Sequence, residues 1–280
     1  MMSRLFVWFQ HMLPQHALSR LVLRATRVRV PWFKNLLVRG FFRLFTIDMT
    51  EAAQSDPLSF GSFNEFFTRS LKPGARAIAS DPRAIACPVD GTVSEAGQID
   101  GERLLQAKGR YYSLTELLAA RAWAKHFDGG SFATLYLAPY NYHRVHMPLR
   151  GQLRETVYVP GKLFSVNAAT ASLVPRLFAR NERVITLFDT AFGEVALIMV
   201  GALNVGSMAT VWAGDITHAP RRTLTTLPAS AVALDKGEEL GRFNMGSTVI
   251  LLFQRDRARW HADLRAGAVV RLGQSLGMLQ

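Results

Sequence analysis

From Pro88 onward, short apolar runs alternate with turns rich in Gly, Pro and Asn, and this texture limits the fold more than any other feature. The runs lie at 132–137, 153–159, 183–188, 195–200, 209–212 and 248–253. Each is strand-length and partly β-branched. They do not alternate regularly with helical segments, which disfavours a doubly wound parallel sheet. The expectation is an α+β chain with one β-rich, mainly antiparallel domain. Two helices are predicted outside the strands. One covers 113–126, where Ser113 and Glu116 have capping-box spacing. The other is a short helix read in 62–78, ending in the turn signal Lys72-Pro73-Gly74. No repeat of solenoid or propeller period is present.

The N-terminal stretch has a different character. Eight basic residues (Arg4, Arg20, Arg24, Arg27, Arg29, Lys34, Arg39 and Arg43) precede the first acidic residue, Asp48. Leu18, Leu21, Val22, Ala25 and Val28 recur at helical spacing. Trp32, Phe33, Leu36, Leu37, Gly40, Phe41, Leu44 and Phe45 form a second such pattern. No run of 18 apolar residues is present, so a spanning helix is not expected. Basic amphipathic helices carrying Trp and Phe suit a lipid interface. Helices that cover a protein core, or a cleaved targeting peptide, are the alternatives. The chain carries a net charge of +12. Because that charge sits among aromatic side chains, anionic lipid is the expected partner and nucleic acid is not. A single cysteine, Cys87, rules out an internal disulfide framework and gives no Cys-rich metal site. The expected division is 1–47 as membrane-associating helices and 48–280 as the catalytic domain.

Three stretches carry chemically useful residues. In Pro88-Val89-Asp90-Gly91, Asp90 is either a turn residue or a catalytic carboxylate. In Tyr142-His143-Arg144-Val145-His146-Met147-Pro148, an extended segment would place the two histidines on opposite faces. Metal binding is disfavoured and acid–base work is preferred, with plain hydrogen-bonded histidines as the alternative. In Asn244-Met245-Gly246-Ser247-Thr248, Gly246 removes bulk beside a carbonyl and tolerates strained backbone. Ser247 Oγ could attack that carbonyl.

With these residues in view, the chain resembles the phosphatidylserine decarboxylase proenzymes. The matching pieces are Phe66-Phe67-Thr68-Arg69-Ser70-Leu71-Lys72-Pro73-Gly74-Ala75-Arg76, the segments at 88–91 and 142–148, and Tyr158-Val159-Pro160-Gly161-Lys162-Leu163-Phe164-Ser165-Val166-Asn167. They continue through 200–207 and Lys236-Gly237-Glu238 to Gly246-Ser247-Thr248. Any one is weak; six in order over nearly the whole chain are specific. Met245 replaces the family's usual Leu, and Ala77 its usual Pro. The segment from Leu13-Pro14 to Leu21 also looks like the family's N-terminal helix, which argues against a targeting peptide.

The resemblance implies a self-cleavage triad of Asp90, His146 and Ser247 acting between Gly246 and Ser247, giving chains 1–246 and 247–280. It implies that Ser247 becomes a pyruvoyl cofactor that forms a Schiff base with phosphatidylserine, yielding phosphatidylethanolamine and CO2. His143 is the candidate substrate contact or proton donor. No metal is expected. Peripheral attachment to the cytoplasmic face of the cell membrane and a homodimer of two-chain protomers are also implied. The rival reading is a non-catalytic membrane-bound carrier or lipid-binding module. A conventional esterase is rejected: Gly273-Gln274-Ser275-Leu276-Gly277 matches a nucleophile elbow, but too few residues follow it to supply the later Asp and His.

Overall fold

The computed structural model describes residues 2–203, 207–216, 223–225, 232–246 and 248–280. Its core is a sheet whose strands run, in spatial order, Thr223–Thr225, Gly151–Val159, Arg183–Thr190, Gly193–Val200, Thr248–Phe253, Ser131–Tyr136, Gly91–Gln98 and Val269–Val270. Ala233–Leu234 pairs alongside Gly151–Val159. All these pairings are antiparallel. The strand Thr248–Phe253 lies inside this sheet and is buried at every residue. Thr248 stands opposite Tyr136 on one side and Val200 on the other. An uninterrupted apolar run is what a strand covered on both faces requires. A second antiparallel sheet runs Gly214–Ile216, Met208–Thr210, Glu239–Phe243, Arg144–His146. Residues 244–247 therefore connect the two sheets.

The antiparallel β-rich expectation holds, with three local corrections. The predicted helix over 62–78 is confined to Phe63–Phe67, with the Ser62 side chain accepting from Glu65 N. The predicted helix over 113–126 begins on the expected capping box but splits into Leu114–Leu118 and Arg121–His126. The break is Ala119, whose φ of 54° places it in the left-handed region. The strand expected over 209–212 is Met208–Thr210, because 211–213 turn the chain back into Gly214–Ile216.

Three helices precede the body: α1, Met2–Met12; α2, Gln15–Thr26; and α3, Pro31–Leu44. Proline at the first position of α3 loses no intrahelical bond. Their inward contacts include polar side chains. Gln10 Oε1 accepts from Ser165 N at 2.7 Å, and Gln15 Oε1 accepts from Leu163 N at 2.8 Å. Lys34 Nζ donates to the carbonyls of Leu58 and Phe60 at 2.5 and 2.9 Å. Trp8, Phe9 and Met12 of α1, Leu21 of α2, and Trp32, Leu36 and Leu44 of α3 are exposed. Val38 of α3 is fully buried with Phe63, Phe66 and Phe67, and Phe41 packs on the same cluster. Among the described residues, no helix is long and apolar enough to cross a membrane.

Candidate active site

Asn244 fixes the link between the sheets. Its backbone N donates to Ser207 O at 3.0 Å, and its carbonyl accepts from Asn64 Nδ2 at 2.9 Å. Its side-chain amide donates to Ser207 Oγ and, at 3.0 Å, to Asp215 Oδ1. Phe243 N donates to His143 O at 3.0 Å, so the same link is tied to the histidine segment. Ser247 lies outside the described residues, as do Asn204, Val205 and Gly206 of the 200–207 motif. Gly246 is described. A methyl group on its Cα would come within 2.6 Å of His143 Nε2 and 3.3 Å of Leu137 O. Its φ does not lie in the left-handed region. Close approach of His143, not strained backbone, is thus what calls for glycine here.

His143 is completely buried, and neither ring nitrogen makes a hydrogen bond of good geometry, the Asn141 backbone being a polar neighbour short of it. Its ring packs on Phe67 with centroids 4.0 Å apart. Burial first, and the Arg69 charge second, push its pKa down to about 3; the Asn141 backbone offsets only part of this. The imidazole is neutral at pH 7. A sealed polar ring without partners is costly, which marks the position as a functional candidate. An apolar cavity of about 270 Å³ adjoins it, lined by Phe41, Phe45, Phe67, Leu137, Met245 and Gly246 among others.

His146 and Asp90 have other neighbours. His146 Nδ1 lies 2.7 Å from Gly237 O, and Nε2 lies 3.0 Å from Tyr142 Oη. A carbonyl only accepts, so Nδ1 carries the proton and Nε2 accepts from the Tyr142 hydroxyl. Burial lowers the His146 pKa, opposed by the Gly237 carbonyl. Asp90 accepts from Arg76 Nε at 3.2 Å, from Arg76 Nη2 at 2.5 Å and from Leu272 N at 2.8 Å. Arg76 also pairs with Glu51 at 2.7 Å. His146 N donates to Pro88 O at 2.9 Å, which brings the two segments together. Among the described residues, no hydrogen bond joins the Asp90 carboxylate to the His146 ring.

The structure therefore brings His143 to Gly246, and places Asp90 and His146 on adjoining segments with other partners. Asn64, Phe67, Arg76, Tyr142 and Gly237 complete the site without having been assigned roles from the sequence. Phe67 and Arg76 did fall within one matched motif, Tyr142 opens another and Gly237 lies in a third. Ser275, of the rejected elbow, begins the strand Ser275–Leu279 and lies 2.8 Å from His261 Nε2 in an exposed position.

Known proteins resemble this chain over nearly its whole length. The family described as phosphatidylserine decarboxylase matches residues 63–278, and a second description, PSD, matches residues 5–46. A phosphatidylserine decarboxylase proenzyme of Methylococcus capsulatus is 53% identical over 277 residues, covering 98% of this chain and 96% of its own length. Proteins of the same name from Pseudomonas fluorescens and Azotobacter vinelandii are each 51% identical. The first covers 99% of this chain and 98% of its own, the second 99% of both. Similarity of this extent, spanning both the helices and the sheets that meet at Gly246, shows that the chain belongs to the phosphatidylserine decarboxylase family.

Proposed function

We propose that this chain is a phosphatidylserine decarboxylase proenzyme that cuts its own Gly246–Ser247 bond. The observation that carries the reading is the buried, unpartnered His143 packed against Gly246 at the entrance to the central strand, in a chain whose family match runs over 63–278.

In the first stage, Ser247 Oγ attacks the Gly246 carbonyl carbon and the C–N bond gives way to an ester. His146 Nε2 takes the hydroxyl proton, and Asp90 supports the charge that develops on the imidazole. For this, Nε2 must exchange Tyr142 for Ser247, and Asp90 must loosen its hold on Arg76. Loss of the Ser247 α-proton then breaks the ester C–O bond. Gly246 leaves as a carboxylate, and residue 247 becomes dehydroalanine. Tautomerisation and addition of water release ammonia and leave a pyruvoyl group at the head of 247–280.

The surroundings fit such a group. His143 holds unpartnered nitrogens beside Gly246, and open volume adjoins both. Once formed, the group supplies a ketone for the substrate amine and a sink for the electron pair left by CO2. His143 is neutral before substrate arrives. A carboxylate brought beside the ring raises its basicity, so proton uptake is coupled to binding. Nε2 then delivers the proton to the carbon that CO2 leaves. The apolar outer faces of α1–α3 seat the protein peripherally on the cytoplasmic face of the cell membrane, beside anionic lipid. Two-chain protomers pair as a homodimer.

The test is CO2 release from phosphatidylserine by the purified protein, with chain masses measured on the same sample. Two chains with turnover are expected, while Asp90→Asn and His146→Ala should cleave slowly or not at all. A cleaved wild-type protein with no turnover would sink the substrate assignment.

A further inference from the structure

A separate polar cavity of about 400 Å³ lies beside the reaction centre, bordered by Arg27, Asn64, Arg69, Arg144, Arg242 and Asn244 among others. Its two carboxylates, Glu65 and Asp215, are already engaged: Glu65 with Arg29 at 2.7 Å, and Asp215 with Arg27 at 2.5 Å. Arg144 pairs with Glu239 at 2.7 Å, and Arg242 lies 4.0 Å from the other oxygen of that carboxylate. Arg69 is different. It is only 5% exposed, its Nε has no hydrogen-bond partner, and its guanidinium lies over the Phe66 ring at 5.6 Å. No carboxylate among the described residues forms a salt bridge with it.

A guanidinium this far buried, with Nε unpartnered and no salt bridge to a described carboxylate, is expensive to maintain. Its planar set of five donors suits the oxygens of a phosphate. Arg144 and Arg242 on the cavity wall share a single carboxylate, Glu239, which lies outside the lining, and so add positive potential. The position is close to the chemistry. Arg69 follows Phe67, which packs on His143, and its charge reaches that ring. Asn244 lies two residues before Gly246. Arg27 brings α2, one of the helices with an outward apolar face, to the same cavity.

We infer that this cavity binds the phosphate of a lipid headgroup, with Arg69 as its principal anchor. The inference rests on the decarboxylase reading above and deepens it, because it assigns a seat to the phosphodiester of the substrate. Arg69 binds and orients; it moves no proton.

The experiment uses the matured protein, dihexanoyl phosphatidylserine as a soluble substrate and inorganic phosphate as a probe. Arg69→Gln is expected to raise KM about 10- to 100-fold, the loss typical of a charge-assisted contact, with kcat little changed. Arg69→Lys should recover part of the loss. Inorganic phosphate should compete with substrate in the wild type and compete far less well in Arg69→Gln. Folded Arg69→Gln with unchanged KM overturns the inference, even if inorganic phosphate binds the wild type at Arg69, since that would be a site for the free ion. If Arg69→Gln does not fold, the wild type decides: lack of competition by inorganic phosphate overturns the inference. If the wild type releases no CO2, the decarboxylase reading fails separately. Broadening of the ³¹P signal of dihexanoyl phosphatidylserine, present in the wild type and lost in Arg69→Gln, then tests the cavity by itself.

Discussion

A neutral imidazole sealed from solvent at residue 143 ties stability to pH. Its folded pKa of about 3 lies below the ordinary histidine value of 6.5. Between those values the unfolded chain takes up a proton that the folded chain refuses. This contribution is therefore complete above about pH 6.5 and is lost as pH falls toward 3; by pH 5 the loss is about 2 kcal/mol. His143→Gln removes the term, so its denaturation midpoint should fall less between pH 7 and pH 5 than that of the wild type. Equal falls would mean that His143 is not buried neutral. The same ring controls what position 246 tolerates. A methyl at Gly246 meets Nε2 at 2.6 Å, and Phe67 packed behind the ring limits its retreat. Gly246→Ala should slow the appearance of two chains on a denaturing gel; processing at the wild-type rate would remove that steric argument. His143→Ala should still mature yet decarboxylate about 10²- to 10⁴-fold more slowly, the usual loss for a positioned proton donor. An uncut but folded His143→Ala protein would move the residue into the maturation machinery.

The N-terminal helices show how far sequence pattern reaches. Helical spacing divides apolar from polar positions, but it does not say which face meets the body. Gln10 and Gln15 turn inward because the backbone N–H groups of Ser165 and Leu163 need acceptors. Such pairings over long separations leave no local signal in sequence. Asn64 and Asn244, hydrogen-bonded across 180 positions, and Arg76 with Asp90 belong to the same class. The Gly246-Ser247-Thr248 motif and the order of the motifs around it were legible, as were most strands of the large sheet. Helix ends were less so, since Ala119 breaks its helix through a backbone state that its residue type does not announce. The outward faces lead to a prediction. Trp8 and Trp32 are 61% and 71% exposed. Replacing both with Ser should weaken flotation with anionic liposomes while leaving chain cleavage intact. Undiminished flotation would point to another membrane contact. Deleting residues 1–46 is a poorer test, because Val38 and Phe41 pack against the phenylalanines that back His143.

At the scale of the whole molecule, the 247–280 segment is woven into the body. Thr248–Phe253 is hydrogen-bonded to strands on both sides, and Ser275–Leu279 pairs with Ala84–Ala86. Cutting the link between the two sheets would leave these ladders and the buried apolar side chains in place. The two chains should therefore travel together in native mass spectrometry and separate only under denaturing conditions. Loss of the small chain under native conditions would contradict this weave. The central claim concerns the bond itself, and intact mass spectrometry under denaturing conditions tests it most directly. The wild type should give two chains, 1–246 and 247–280, the second with a pyruvoyl group in place of an amino terminus, while Ser247→Ala should remain full length. A Ser247→Ala protein cut at the same bond, or a wild-type 247–280 chain beginning with an intact serine, would contradict self-cleavage by Ser247.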